Sequence, residues 1–209
     1  MEKNITITLE KARELYYSNN KTLIGIALQA FSPSELTFDY TTIKTFKDAC
    51  DVFGIDHELV EYQVSCLKEF SRASAAMFKL NIIRKALNFN QDLYLTESPI
   101  WYPINPFLAE NATHFRDKLK TYEIEVVGKI KNKGEIYEVI GGLANASNDD
   151  GLGDFCYDVN VGFTTASSGF LGCASEEIAK HFSKYFGMLI TEAKYDDIVD
   201  FEIVERKYQ

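Results

Sequence analysis

The chain has 209 residues, 46% of them hydrophobic, and it carries 22 basic and 31 acidic side chains for a formal net charge of −9. This length and this apolar content suffice for one domain with a substantial core, which excludes disorder as the default state. No window approaches eighteen consecutive apolar residues, so the sequence predicts no membrane-spanning helix.

The first ninety residues have helical periodicity. Thr8 is a good N-cap residue, and it predicts a helix that reaches Tyr16. A second helix is expected to end before Pro33, and a third occupies residues 46–53 ahead of Gly54. The start of the chain is therefore predicted to be helical.

The longest predicted element is a single helix from about His57 to Leu87. Its apolar residues recur at steps of three or four, which is the spacing of one helix face. They are Val60, Val64, Leu67, Phe70, Ala73, Met77, Leu80, Ile83 and Leu87. We expect this whole stripe to lie in the core.

After residue 90 the hydrophobic period falls to two, which is typical of strands. Residues 122–126 alternate, Asn132-Lys133-Gly134 forms a turn signal, and a return strand reaches Ile140, so a β-hairpin is predicted. A second alternation runs from Phe155 to Phe163, and residues 169–173 can pair back with it.

The chain closes with a helix capped by Ser175 and a strand from Val199 to Ile203. Consecutive strands with helices set apart from them indicate an α+β fold. We predict an N-terminal helical part with one long helix, residues 1–90. Residues 91–209 then form an antiparallel sheet of hairpins with one covering helix, and the two parts make one compact unit.

The net charge is divided unequally along the chain. Residues 1–90 carry 11 basic and 11 acidic side chains, whereas residues 91–209 carry 11 and 20. Proteins that hold nucleic acid usually present a basic surface, so this charge disfavours nucleic acid as a partner. The exception is the run from Lys68 to Lys85, with five basic residues against one acidic residue. That run fits either a solvated helix face or a phosphate-binding patch.

A polar loop between two predicted strands contains Asp149, Asp150 and Asp154. It does not match the spacing of an EF-hand, because Ala146 and Tyr157 occupy positions that require carboxylates. A cation site of another type, built from the three aspartates, is one interpretation. The alternative is a polar turn that satisfies its own backbone.

No enzyme motif is present. The three histidines, His57, His114 and His181, have no ligand spacing, and phosphate-binding, dinucleotide-binding and nucleophile-elbow motifs are all missing. We therefore predict a protein without catalytic residues and without a cofactor. The four cysteines lack CxxC spacing and are expected to be reduced, with a bridge from Cys156 to Cys173 as the alternative.

An aromatic connector joins the two predicted parts. Trp101, Tyr102 and Phe107 stand among three prolines, which restrict the backbone and can present rings at low entropic cost. These three residues are our candidates for contact with another protein. The alternative is that the rings pack onto the sheet as a hinge between the two parts.

Four segments carry a resemblance: residues 45–55 (TFKDACDVFGI), residues 78–88 (FKLNIIRKALN), Trp101-Tyr102-Pro103, and residues 169–182 (GFLGCASEEIAKHF). Together they resemble a large group of proteins, with no assigned activity, from Bacteroidetes genomes and their phages. The resemblance implies a setting in a phage or mobile element of gut-type Bacteroidetes. It implies no catalytic residues.

The leading functional hypothesis is a non-enzymatic structural or accessory protein of a phage virion, such as a decoration, fibre or connector component. Its partners would be other virion proteins or copies of itself in a homo-oligomer. Its location would be the virion, or the host cytoplasm before assembly. The alternatives are a soluble phage factor that binds a host protein or a small signalling molecule, and a metal-dependent hydrolase that uses the three aspartates.

Overall fold

The computed structural model describes residues 7–18, 20–36, 38–89, 100–109, 124–146, 171–195 and 200–208. These residues form an α+β fold, with helices in the N-terminal part and antiparallel sheets in the C-terminal part. The fold class predicted from the change of hydrophobic period is therefore confirmed.

The N-terminal part consists of helices. Their bounds are α1 Leu9–Tyr16, α2 Lys21–Ala30, α3 Pro33–Leu36, a 3₁₀ turn Tyr40–Thr42, α4 Phe46–Val52, α5 His57–Phe70 and α6 Arg72–Leu87. The Thr8 hydroxyl accepts a hydrogen bond from the Lys11 amide at 3.2 Å, so the cap predicted for α1 is confirmed. Thr45 and Asp48 form a reciprocal capping box at the start of α4.

The prediction of one helix from His57 to Leu87 is wrong. The helix is interrupted at Ser71, whose backbone is extended with φ −162° and ψ 121°. The Ser71 amide still donates to the Leu67 carbonyl at 3.0 Å, and its hydroxyl accepts from the Ser74 amide at 3.0 Å. One serine thus ends α5 and caps α6, because its short hydroxyl side chain competes well for backbone groups at a helix end.

The break changes the burial of the predicted apolar stripe. Leu80, Ile83 and Leu87 of α6 are buried as expected, but Phe70, the last residue of α5, is 90% exposed. Its assignment to the core is therefore wrong.

The strands are β1 Trp101–Ile104, β2 Phe107–Ala109, β3 Glu125–Asn132, β4 Glu135–Gly141, β5 Leu143–Ala146 and β6 Phe201–Arg206. Four of them form an antiparallel sheet in the order β2-β4-β3-β6, and β1 pairs with β5 in a second sheet. The predicted hairpin is confirmed as β3 and β4. Its two-residue turn has positive φ at both Lys133 and Gly134, the type I′ geometry that matches the twist of hairpin strands.

The second predicted hairpin lies mostly outside the described residues, which include only Leu171 to Cys173 of it. There, Cys173 forms an antiparallel bridge with Trp101. Cys173 is a free and fully buried thiol, and Cys156, its partner in the alternative disulfide, lies outside the described residues.

The helix α7, Glu176–Tyr195, connects the two parts of the fold. It was expected to cover the sheet, and it does pack against β1, β3, β4 and β5, but it also packs along α6. The main core cluster includes Leu80 and Ile83 from α6 together with Phe182 and Phe186 from α7. A single helix therefore contributes to the core of the helical part and to the packing of the sheets.

Buried polar groups hold α7 on the strands. The Ser183 hydroxyl donates to the Ile104 carbonyl at 2.6 Å and accepts from the Gly142 amide at 3.2 Å. The Asn105 amide group donates to the carbonyls of Ile140 and Ser183, both at 2.9 Å. These bonds satisfy buried polar groups and join α7 to the strands at the corner between the two sheets.

Candidate functional site

The three rings predicted to contact a partner lie at or in the core. Phe107 is only 8% exposed and packs edge-on against Tyr195, with ring centroids 5.2 Å apart. Its burial leaves no ring surface for a partner, so we assign it a packing role. Trp101 and Tyr102 are half-buried, and Trp101 packs against the main core cluster. Partner contact through these two residues stays a prediction.

The aspartates proposed for a cation site, Asp149, Asp150 and Asp154, lie outside the described residues, as does His114. Within the part of the chain that the structure describes, no group of three or more His, Cys, Asp or Glu side chains is arranged to hold a metal ion.

His181 is the more enclosed of the two described histidines. Its Nε2 lies 2.6 Å from the Ile43 carbonyl, and its ring packs against Tyr40 and Tyr185 at centroid distances of 5.4 and 4.6 Å. Burial lowers the pKa of His181, and the positive charge of the neighbouring Lys44 lowers it further. The hydrogen bond to the Ile43 carbonyl raises this pKa, but the two other effects together are larger. A neutral imidazole that donates to Ile43 fits this setting, so the role of His181 is structural.

One face of α5 presents apolar side chains to solvent. Leu59, Tyr62, Cys66 and Phe70 follow one another at steps of three, four and four, which places them on a common helix face. Leu59 is 58% exposed, Tyr62 69% and Phe70 90%, and Cys66 is exposed as well. We call these four residues the α5 stripe.

The α5 stripe lies away from the core face of the same helix. Val60 and Val64 are buried and Leu67 is partly buried against the main cluster. An exposed apolar row on a soluble protein commonly marks an interaction site, because water solvates it poorly. Two interleaved apolar rows on one helix are the sequence signal of such a surface, since a helix packed on one side can bury only one of them.

A cleft of about 400 Å³ opens where α5 and α6 meet α7 and the end of the chain. We call it the basic cleft and define it by six of its lining residues: Phe46, Lys68, Lys79, Tyr185, Arg206 and Tyr208. It adjoins a second cleft of about 320 Å³, with which it shares Lys68, Glu192 and Arg206. Its three cations come from α5, α6 and β6, so the tertiary fold brings them together.

Two of these cations are fixed by ion pairs. Lys79 Nζ lies 2.6 Å from Glu61 Oε1 and 4.9 Å from the centroid of the Phe46 ring. Arg206 lies 2.6 Å from Glu192 Oε2. Lys68 makes no ion pair within the described ranges. Ion pairs of this kind orient long side chains, which would otherwise sample many rotamers.

A carboxylate next to the cleft anchors the end of the chain. Glu125 of β3 accepts hydrogen bonds from Lys184 at 2.8 Å and from Tyr208 at 2.7 Å, and it also pairs with Lys207. Partial burial raises the pKa of Glu125, but these donors outweigh that effect and lower it to about 2. Tyr208, which lines the cleft, is thereby held in place.

None of the helices in the described ranges is long and apolar enough to cross a membrane. Comparison with protein families, with curated proteins and with solved structures finds no match to this chain.

Proposed function

We propose that this protein is a non-enzymatic assembly protein that self-associates through the α5 stripe. The observation that carries the proposal is the exposure of Phe70, 90%, in line with Leu59 and Tyr62 on the same helix face. Burying a large apolar side chain gains about 1.5–3 kcal/mol, so a partner surface that covers this row is favoured.

The charges at the two ends of the α5 stripe favour a second copy of the chain as the partner. Glu58 is exposed near the start of α5, and Arg72, the first residue of α6, is exposed directly after its end and also lines the second cleft. In an antiparallel pair of α5 helices, each Glu58 approaches Arg72 of the other copy, while Leu59 approaches Phe70. Because a two-fold axis applies every contact twice, one complementary pair of ends stabilises both sides of the dimer.

The stripe has four residues, fewer than the roughly 20–30 residues per partner of a stable interface. Association also costs about 4–15 kcal/mol in lost freedom, which offsets most of the gain from burying the apolar side chains. We therefore expect a dissociation constant in the micromolar range. Such an interface forms at high local concentration, as in a particle built from many copies.

The virion setting is part of the same proposal. It is supported by the resemblance of residues 45–55, 78–88 and 169–182 to proteins of Bacteroidetes and their phages. The protein would then be located in the virion, or in the host cytoplasm before assembly, and other virion proteins would be its further partners. Mass spectrometry of purified particles of a phage that encodes the chain tests this setting, and absence of the chain from mature particles would contradict it.

Self-association is tested by light scattering during size-exclusion chromatography, over roughly a hundredfold range of concentration around the micromolar level. We expect a dimer at the upper end, and we expect the double variant Leu59→Ser with Phe70→Ser to remain monomeric. The matched control is Leu28→Ser, which removes a leucine that is 43% exposed on α2. A monomeric wild type, or a dimer that persists in the double variant, would contradict the proposal.

Cys66 provides a second readout, because it lies within the stripe and is exposed, whereas Cys50 and Cys173 are buried. Antiparallel helices pack about 8–10 Å apart, so a short bismaleimide can join Cys66 of the two copies. In a Cys156→Ser background, which removes the cysteine that lies outside the described residues, we expect covalent dimers, and we expect none when Cys66→Ser is added. Crosslinking that continues in Cys66→Ser would place the contact elsewhere.

A further inference from the structure

The basic cleft is chemically distinct from the α5 stripe and has no role in the proposed self-association. We propose that it binds a nucleoside monophosphate, with the phosphate on Lys68, Lys79 and Arg206 and the base against Tyr185 and Tyr208. The inference rests on cations from three elements and aromatic rings that line one cleft.

The cations are suited to a phosphate group. Lys68 has no ion-pair partner in the described ranges, and Lys79 and Arg206 are oriented by Glu61 and Glu192 respectively. Arg206 uses one terminal nitrogen for Glu192 and keeps further N–H donors in its planar fork. Charge-assisted hydrogen bonds from several such donors are the usual way in which proteins hold phosphate.

The rings are suited to a nucleobase. Tyr185 and Tyr208 pack against each other with centroids 4.8 Å apart, and the hydroxyl of Tyr208 is bonded to Glu125 at 2.7 Å. Tyr185 also packs against His181 at 4.6 Å, so a base would contact the parts of the two rings that line the cleft. Rings that are held in this way have little conformational entropy left to lose. Stacking tolerates any base, so the geometry indicates the nucleotide class and not a particular base.

The size of the cleft fits a single nucleotide. Its volume of about 400 Å³ lies in the usual range of small-ligand sites, about 300–1,000 Å³. Glu192 also lines the cleft, but its carboxylate is paired with Arg206 at 2.6 Å.

The test is isothermal titration calorimetry of the full chain with adenosine monophosphate, adenosine and inorganic phosphate as separate probes. We expect the monophosphate to bind and the other two to bind at least about tenfold more weakly, because each lacks one of the two recognised groups. Adenosine binding as tightly as the monophosphate would overturn the role of the cations. Phosphate binding as tightly would overturn the role of the rings, and no binding of the monophosphate would overturn the proposal.

A pair of charge reversals locates the site. Lys68→Glu should weaken adenosine monophosphate binding by about tenfold or more, since it replaces a cleft cation with a repelling carboxylate. Lys85→Glu is the matched control, because Lys85 is also exposed, lies on α6 outside the cleft and changes the net charge equally. Both substitutions are on exposed positions, and circular dichroism checks that both variants fold. Equal affinity in the two variants would overturn the assignment of the cleft.

Discussion

The side chain of Asn88, which ends α6, accepts a hydrogen bond from the backbone amide of Ala174, two residues before α7 begins, at 2.7 Å. The same side chain donates to the carbonyls of Arg84 at 2.8 Å and Gly172 at 3.1 Å. One buried amide thus ties the end of α6 to the entry of α7.

Replacement of Asn88 should destabilise the fold. Asn88→Ala leaves the Ala174 amide and the Gly172 carbonyl without their partner in a buried place, and we expect a loss of about 2–4 kcal/mol in the free energy of unfolding. The control is Asn81→Ala on the same helix, because half-buried Asn81 makes only a 3.3 Å bond to Met77. Urea unfolding measures both variants. A loss for Asn88→Ala no larger than that of the control would contradict this role.

The parts of the fold that were predicted correctly depend on local chemistry. Thr8 caps a helix and Lys133-Gly134 forms a hairpin turn because the residues concerned are neighbours in sequence. The break at Ser71 was not predictable in this way. Serine is tolerated inside a helix and favoured at a cap, and the apolar period continues on both sides of it, so tertiary packing decides between the two.

The candidate sites were predictable only in part. Lys68 and Lys79 belong to the basic run that was interpreted as either a solvated face or a phosphate patch. Arg206 joins them through the pairing of β6 with β3, which no local pattern near Arg206 specifies. The α5 stripe was missed because the three-residue step from Leu67 to Phe70 is also a possible spacing along the core face. Phe70 instead continues the exposed row that starts at Leu59.

Two helical glycines should respond in opposite directions to the same substitution. A Cβ on Gly187 of α7 would lie 2.3 Å from Nδ2 of Asn105, which is fixed by two carbonyls, so we expect Gly187→Ala to cost about 2–3 kcal/mol. A Cβ on Gly25 of α2 would meet nothing within 4 Å, so Gly25→Ala should add up to about 1 kcal/mol. Thermal and urea unfolding of both variants provide the measurement. A stabilising Gly187→Ala would show that α7 does not approach the Asn105 corner so closely.

The carboxylate of Glu125 should make stability depend on pH in the acid range. Its pKa in the folded protein is about 2, below its ordinary value of 4.5. The ionised carboxylate therefore stabilises the folded state fully above about pH 4.5, and this contribution is lost as the pH falls towards 2. Glu125→Gln removes the charge at every pH. The variant should be less stable than the wild type by about 2 kcal/mol at pH 7, a figure that allows for the partial exposure of the lysines.

The difference between wild type and Glu125→Gln should shrink as the pH is lowered from about 5 to 2, because the unfolded chain binds a proton at this carboxyl near pH 4.5, whereas the folded protein does so only near pH 2. Glu205→Gln is a suitable control, since Glu205 is exposed on β6 and lies 3.8 Å from Lys129. A surface pair of this kind contributes about 0–1 kcal/mol, so its removal should have a small effect. Urea unfolding at several pH values measures both variants. The contradicting outcome is a stability difference for Glu125→Gln that stays constant down to pH 2. It would show that Lys184, Lys207 and Tyr208 do not hold the carboxylate in its ionised form.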